Sequence, residues 1–391
     1  MTLDPRSAAV AYVDSLGPEV LARAAAYTAG NHWLLLWGLV VTAAWVWLVV
    51  RWGVLERLSQ RLASRGPNLR AFIVATACLL LASVLTLPWD LYAEWWRERS
   101  YGRTSQPLGD YLMQSAIAVV IFSVLAGLFF VGVYALIRRA ERRWWLWSGG
   151  LTAAALAAFL LVAPVFIQPI FNDYRPVPEG EVRAALVAMA REGGVPAGRI
   201  FVYDGSRQSN NFTANVSGIA GSARIAISDV AFKGASLDEV KAVTAHEMAH
   251  YVLHHVWRQV LVLSTLAIVL FFLADRLYPR FARVFGSRAP LHDPAGLPVL
   301  LFMVSAFGLL AQPVTNGLTR IGEIEADHYS FETVNLPDAL ASALVKTAEY
   351  RDPRPHRLQE WLFYTHPSVE RRVRLAMEWK AAHGSGDSPG S

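Results

Sequence analysis

Six long apolar runs decide what this chain can fold into. Read with a window of about 20 apolar residues, the length an α-helix needs to cross a hydrocarbon core of about 30 Å, the 391 residues give candidate spans at roughly 32–52, 70–92, 112–137, 146–170, 257–274 and 295–318. A bilayer offers no water to backbone N–H and C=O groups, so such runs satisfy themselves as helices. The composition agrees: 54% hydrophobic residues, 14 Trp and 17% charged residues are too apolar a mixture for an ordinary soluble enzyme of this length. The first 30 residues lack the basic start and continuous apolar core of a cleavable signal, so the first run is expected to be a retained anchor. The single Cys78 lies within an apolar run and excludes an intramolecular disulfide.

The net charge of +5 does not mark a nucleic-acid-binding surface, because the arginines flank the spans instead of gathering on one polar patch. Arg51, Arg57, Arg61, Arg65 and Arg70 lie between the first two spans, Arg138, Arg139, Arg142 and Arg143 between the third and fourth, and Arg276, Arg280, Arg283 and Arg288 between the fifth and sixth. If the spans alternate, these loops share one face, which the positive-inside rule makes cytoplasmic; the long polar segments then face away from the cytoplasm. Arg97, Arg99 and Arg103 in the second loop run against this bias. The expected location is the plasma (inner) membrane.

The polar interruptions organise the rest. The chain divides into an N-terminal segment (1–30), a membrane domain with four spans (31–172), a first polar part (173–256), a two-span hairpin (257–318), a second polar part (319–383) and a flexible tail (384–391). The expected fold is an α-helical polytopic membrane protein with about six transmembrane helices and a mainly helical domain containing a small β-sheet. "PEGEVRAALVAMAREGG" has the pattern of an amphipathic helix closed by Gly193 and Gly194. "RIFVYDG", "NFTANVSG" and "ARIAISD" have the β-branched content and turn punctuation of three short strands. Ser236, three residues before Glu239, is placed to cap the helix that follows.

That helix carries "TAHEMAHYVLHHVW". Positions four apart share a helix face, so His246 and His250 can offer imidazole nitrogens to one point. Glu247 sits beside the first histidine, where it can reach a metal-held water without being a ligand; this is the division of labour of an HExxH zinc metallopeptidase. Chance recurrence of H-E-x-x-H is the bland reading, and the capped helical context weighs against it. A catalytic zinc needs a third protein ligand and an open position. The extended pattern H-E-x-x-H-x-x-G-x-x-H fails, because Leu253 and Val256 occupy its last two required positions. His254 lies eight residues beyond His246, about 12 Å along the helix axis, too far for a shared ion. His255 reads as a structural or interfacial histidine.

Two spans later the chain returns to the same side with "NGLTRIGEIEADHYS". Glu323 and Asp327 are four apart, so one face can offer Glu323 to zinc and Asp327 as the acceptor that fixes a ligand histidine, with Glu325 pointing elsewhere. On residue chemistry alone Asp327 and His328 remain alternative ligands.

At this point the sequence resembles the integral-membrane zinc metallopeptidases of the CAAX prenyl protease 1 type, in which HExxH is followed, after a membrane hairpin, by Asn-x-x-Ser/Thr-Arg-x-x-Glu-x-x-Ala-Asp. Asn316, Thr319, Arg320, Glu323, Ala326 and Asp327 match that motif in register. "LPWDLYAEWWRERSYGRTSQ" and "IQPIFNDYRPVPEGEV" resemble the family's loop after an early span and its entry into the polar domain, and the matches spread from about residue 31 to 375. The resemblance implies a gluzincin whose helices surround a chamber, with one catalytic Zn2+ held by His246, His250 and Glu323. "THPSVERRV" resembles the family's His-Pro motif and makes His366 and Arg372 candidates for positioning substrate and stabilising an anionic tetrahedral intermediate. The strand before the zinc helix is expected to bind substrate by backbone pairing through Asn211, Thr213, Ala214 and Asn215; Thr213-Ala214 stands where the family has Asn-Ala. The family's eukaryotic members have seven spans and a cytosolic zinc site, against six spans and an outward-facing site read from this chain.

Together these features predict a membrane-embedded zinc metalloendopeptidase in which Glu247 takes a proton from water and passes it to the leaving amine. Its partners would be the lipid bilayer and a peptide or protein substrate, lipidated or membrane-embedded, with no nucleic acid. A prenylated peptide is the substrate the resemblance suggests, and general quality control of membrane proteins is the alternative. A non-catalytic zinc-binding scaffold is the reading from another class; structural zinc prefers four protein ligands and has no use for Glu247.

Overall fold

The structure is a computed structural model and describes residues 3–218, 222–348 and 351–384, so the expected tail falls, beyond Gly384, outside the described residues. A short helix α1 (Pro5–Asp14) precedes α2 (Pro18–Trp52), which starts with Pro at its first position and stops at Gly53 in the left-handed region, the stop that a residue without Cβ permits. After α3 (Val54–Arg61) comes α4 (Pro67–Asp90), which contains Pro88 and continues through a π-helical turn (Leu91–Trp96) into α5 (Arg97–Ser100). Next are α6 (Leu108–Arg139), α7 (Trp144–Val162), a second π-helical turn (Ala163–Ile167) and α8 (Gln168–Phe171). Both π turns hold or follow a proline, whose missing N–H breaks the regular ladder.

Beyond the fourth span the chain builds a small sheet: β1 (Tyr174–Pro176), then α9 (Glu181–Glu192), β2 (Ile200–Tyr203), β3 (Ala214–Ser217) and β4 (Arg224–Ser228). The order is β1-β2-β4-β3, with β2 and β4 parallel and the outer pairs antiparallel. The sequence suggests three strands, and the structure adds β1, a three-residue edge too short to show a period. Central β4 is buried along its whole length, and β3 pairs on one side alone, Ala214 opposite Ile227. Then follow α10 (Ala231–Gly234), α11 (Leu237–Val252), α12 (His255–Phe285), α13 (Leu297–Val334), α14 (Pro337–Lys346), α15 (Arg357–Phe363) and α16 (Val369–His383).

Among the described residues, six helical stretches are long and apolar enough to cross a membrane: Pro18–Trp52, Pro67–Ser100, Leu108–Arg139, Glu141–Phe171, His255–Phe285 and Pro294–Val334. Two expected boundaries prove not to be breaks. The hairpin and the second polar part, divided at 318/319 from sequence, share the single helix α13, because no stop occurs until Asn335 in the left-handed region, with Pro337 behind it. The first polar part ends at His254, whose φ of 57° separates α11 from α12. The N-terminal segment is not separate either: α2 begins at Pro18, and Ala9 of α1 joins a core with Leu340 and Leu344 of α14 and Val373 and Met377 of α16.

The two ends of the bundle differ. At one, the loops after α2, α6 and α12 meet: Asp293 accepts from Ser59 at 2.8 Å and from Arg70 at 2.5 Å, and Arg138 donates to Asn68 at 2.6 Å. At the other, the loop after α5 is bonded to the segment leading into β3, with Thr104 donating to the Gln208 carbonyl at 2.7 Å and Arg207 paired with Asp110 at 2.6 Å. The arginine-rich loops therefore lie opposite the sheet, as alternating spans require.

Helices α7 and α12 approach closely at Gly149, where an added Cβ would lie 2.1 Å from Ile268 Cγ1 and 3.2 Å from the Ser264 carbonyl; the next residue, Gly150, faces open space. Gly149→Ala is expected to destabilise the detergent-solubilised protein by roughly 1–3 kcal/mol through overpacking. Gly150→Ala should be neutral or stabilising by about 0.5–1 kcal/mol, since Ala is the better helix former. Heating followed by size-exclusion chromatography compares the two.

Candidate active site

Helix α11 starts as its sequence suggests. Ser236 Oγ accepts from the Glu239 N–H at 3.2 Å and Glu239 Oε2 accepts from the Ser236 N–H at 2.7 Å, a reciprocal cap. Glu239 also receives Lys346 and Ser342 of α14, at 2.7 and 2.6 Å. So anchored, α11 lies between the sheet and α13 with Ala245, Met248 and Ala249 buried, and turns His246 and His250 toward α13.

The two histidines meet Glu323. Nε2 of His246 is 3.3 Å from Glu323 Oε2, Nε2 of His250 is 3.5 Å from Oε1, and one donor atom from each of the three residues falls within 4.8 Å of the others. Glu323 Oε2 is buried without a hydrogen bond, although His246 and His366 Nε2 stand 3.3 and 3.2 Å away. A buried carboxylate oxygen left without a hydrogen bond among imidazole nitrogens is the chemistry of a site for a borderline dication, and His246, His250 and Glu323 form a donor set of two imidazoles and one carboxylate that fits a metal ion.

Asp327, one turn after Glu323, is fully buried. Its Oδ1 lies 3.0 Å from His246 Nδ1, which orients the His246 ring and leaves Nε2 toward the cluster. Arg372 of α16 holds the same carboxylate through Nη2 at 2.6 Å and Nε at 2.8 Å and is itself 4% exposed. The resemblance implies that Arg372 acts on substrate; it lines the cavity beside Glu247, two of its nitrogens are tied to Asp327, and Nη1 lies 4.0 Å from Glu323 Oε2. His366 faces the cavity beside Glu323, its Nδ1 2.9 Å from Thr365 Oγ1. His328, the other alternative ligand, packs its ring on Phe331.

His250 has a partner that residue spacing did not reveal. The left-handed His254 breaks the helix between α11 and α12, and His255 Nδ1 comes 2.9 Å from His250 Nδ1. His255 Nε2 lies 2.9 Å from Glu325 Oε2, which Arg258 also holds at 2.7 Å. If His250 Nε2 faces the cluster, its Nδ1–H donates to His255, whose own proton then sits on Nε2 beside Glu325. Glu325 points away from Glu323, as expected, yet belongs to the chain of contacts behind His250. A positive-φ residue cannot be read from a His-His pair, and this hid the arrangement.

The charges follow from burial. Burial, helped by Glu323, raises the Glu247 carboxyl to about 7. Burial and neighbouring His246 push His250 down to about 4, leaving a neutral imidazole with a free lone pair. Burial also pushes His246 down, but the neighbouring Asp327 and Glu323 carboxylates outweigh it and hold the ring at about 9. A metal ion would compete with that proton.

The cluster separates two cavities. One, of about 350 Å³, runs between the β3 edge and α14 and is lined by Asn211, Thr213, Ala214, Glu247 and His366. Thr213 Oγ1 bonds Tyr203 at 2.8 Å, while Asn211 Oδ1 is buried without a partner. Asn215 lies off this wall, its Oδ1 also unbonded. The other cavity, of about 390 Å³, opens at His250 and Glu323 and is walled by Leu156, Phe159, Val260 and Leu263 of the membrane helices. Two residues of the distal motif serve structure: Asn316 donates to the Leu362 carbonyl and Arg320 to that of Glu360, both at 3.0 Å, and so hold α15 against α13.

Comparison with known proteins agrees with this geometry. The family model described as peptidase family M48 matches residues 176–380, and that described as CAAX prenyl protease N-terminal, five membrane helices, matches residues 6–173. The chain is 28% identical over 302 residues to the uncharacterized metalloprotease YhfN of Bacillus subtilis, covering 76% of this chain and 71% of that protein. It is 29% identical over 234 residues to CAAX prenyl protease 1 of Saccharomyces cerevisiae (55% and 51% covered) and 24% identical over 379 residues to the CAAX prenyl protease 1 homolog of Homo sapiens (83% and 78%). The crystal structure of S. mikatae Ste24p has the same fold, with a TM-score of 0.67 at 21% identity over 78% of this chain and 76% of that one.

If His246 and His250 hold a metal, loss of the contact behind either histidine should loosen it. Asp327→Ala and His255→Phe are each expected to lower divalent-metal affinity by roughly 10- to 100-fold, measured by competition with a chromogenic chelator.

Proposed function

The chain belongs to peptidase family M48, and from that premise we propose that it is a membrane-embedded zinc endopeptidase that cuts peptides presented from the bilayer. The observation that carries this reading is the convergence of His246, His250 and Glu323 beside Glu247, between a strand-edged cavity and an apolar one. His246, His250 and Glu323 would hold one Zn2+, which suits two imidazoles and a carboxylate. When bound, the ion would polarise the scissile carbonyl and acidify a water.

The chain's own residues do the rest. Glu247 accepts the water's proton and delivers it to the leaving amine, a task suited to a carboxyl whose burial brings its pKa toward neutrality. His366, at the cavity wall beside Glu323, donates toward the carbonyl oxygen as charge develops there. Arg372 acts through Asp327, holding the carboxylate that orients His246. The free side of β3 supplies backbone groups for an extended peptide, and Asn211, Thr213 and Ala214 line its path.

The apolar cavity supports a substrate carrying a lipid or an apolar anchor, because its wall is made by membrane helices and its mouth is at His250 and Glu323. Relatives named CAAX prenyl protease 1 make a prenylated peptide the first substrate to try. Backbone pairing at β3 is indifferent to side chains and favours broader cleavage of membrane proteins as the second reading. No nucleic-acid partner enters either. The arginine loops opposite the sheet support a site facing away from the cytoplasm in the plasma (inner) membrane.

Detergent-purified protein should hydrolyse a quenched prenylated peptide faster than its unprenylated twin. Chelation should abolish turnover and zinc restore it, and Glu247→Gln should lower kcat by roughly 10²–10⁴-fold at unchanged zinc content. Turnover that survives both chelation and Glu247→Gln would overturn the mechanism. For orientation, a cysteine placed at Ser105 in a Cys78→Ala background should react with a membrane-impermeant maleimide in intact cells, and one placed at Ser64 should not; the opposite labelling would put the site on the cytoplasmic face.

A further inference from the structure

The cavity beside the β3 edge contains a cation that no described carboxylate approaches to ion-pair distance. Arg351, which follows α14, lines that cavity together with Glu247, His366 and Arg372. Among the described residues its guanidinium has neither a carboxylate at ion-pair distance nor a carbonyl to donate to. Arginines close by in the fold are all engaged: Arg372 on Asp327, Arg320 on the Glu360 carbonyl, Arg354 on Asp14. Even Asp352, the adjacent residue, spends its carboxylate on the Arg354 N–H at 2.9 Å. Burial, with Arg372 adding repulsion, pushes Arg351 down to about 10, so it stays charged at neutral pH in a place that disfavours charge.

An unpaired, partly desolvated guanidinium is costly unless an anion joins it, and a dication at the neighbouring cluster would raise the local positive charge further. On the α14 side the wall is small and apolar, with Leu340, Ala343 and Leu344. A planar fork of N–H donors above such a wall matches the two oxygens of a carboxylate better than any neutral group.

We propose that Arg351 binds a carboxylate of the peptide substrate near the scissile bond, so that the enzyme selects peptides carrying either a free C-terminal carboxylate or an acidic side chain at that position. This rests on the reading that the β3–α14 cavity receives peptide. The cationic fork decides which peptides stay, while the strand edge holds any of them.

The test is binding to the full-length Glu247→Gln protein loaded with zinc, read by fluorescence anisotropy with three versions of one labelled peptide: free C-terminal carboxylate, C-terminal amide, and amide with glutamate substituted near the C-terminus. The free acid should bind roughly tenfold or more tighter than the amide. Recovery of affinity by the glutamate version would make an acidic side chain an equal source of the carboxylate. Arg351→Gln should bring the acid and amide within about twofold, and Arg351→Lys should keep part of the difference because it keeps the charge without the fork. Equal binding of all three peptides, no binding of any, or an acid preference that survives Arg351→Gln would overturn the proposal. A wild-type protein that keeps the preference but hydrolyses none of the peptides would overturn the proteolytic reading and leave the carboxylate subsite standing.

Discussion

The buried contact between Asp327 and Arg372 is the joint on which the site depends. It links α13 to α16 and, through His246 Nδ1, both of them to α11. Each group alone would be an unpaired charge in a dry interior, and each is accommodated because the other is there with two aligned hydrogen bonds. The same carboxylate fixes which nitrogen of His246 faces Glu323. A contact that packs three helices therefore also sets the chemistry of the donor cluster.

Continuity of α13 gives that joint its place. The helix begins beside Met303 in the membrane core and ends at Asn335, where the Trp379 indole donates to the Asn335 side chain at 2.9 Å. A helix rises 1.5 Å per residue without slack, so Glu323 and Asp327 stand at a fixed height above the spans. The cluster consequently opens on one side to a cavity with a strand edge and on the other to an apolar cavity between α7, α12 and α13. Gly322 belongs to the same design, since a Cβ there would lie 2.6 Å from Arg258 Nη2 and 3.4 Å from His255 Nδ1. Closeness of backbone to side chain at that point lets the His250–His255–Glu325 contacts form behind the cluster.

Much of this was legible from residue order. Span length is a property of consecutive apolar residues, so six spans could be counted, and an i, i+4 pair on a capped helix must share a face, so His246 and His250 could be joined to one point. The Glu323–Asp327 pair followed the same rule, and the structure sets the two carboxylates at the two nitrogens of His246. Arg372 was found by its motif but its bond to Asp327 was not, because an arginine six residues after a histidine says nothing about which carboxylate lies across the core. His255 and Glu325 were set aside for a similar reason: a left-handed histidine breaks the helix, and a periodic reading assumes that the helix goes on.

Local periodicity and donor chemistry in the sequence thus determined the class of fold, a membrane helical bundle with a small sheet, and the residue types able to gather a metal ion, because both depend on neighbours a few positions apart. Only the tertiary structure decided which side chains complete the site, since Arg372 meets Asp327 from 45 positions away. It also decided that His255 turns back on His250, and that Arg351 faces the strand-edge cavity without a partner among the described residues. Those contacts arise from the packing of α11, α13 and α16 and from the helix break at His254, which hydrophobic pattern constrains by face and not by partner.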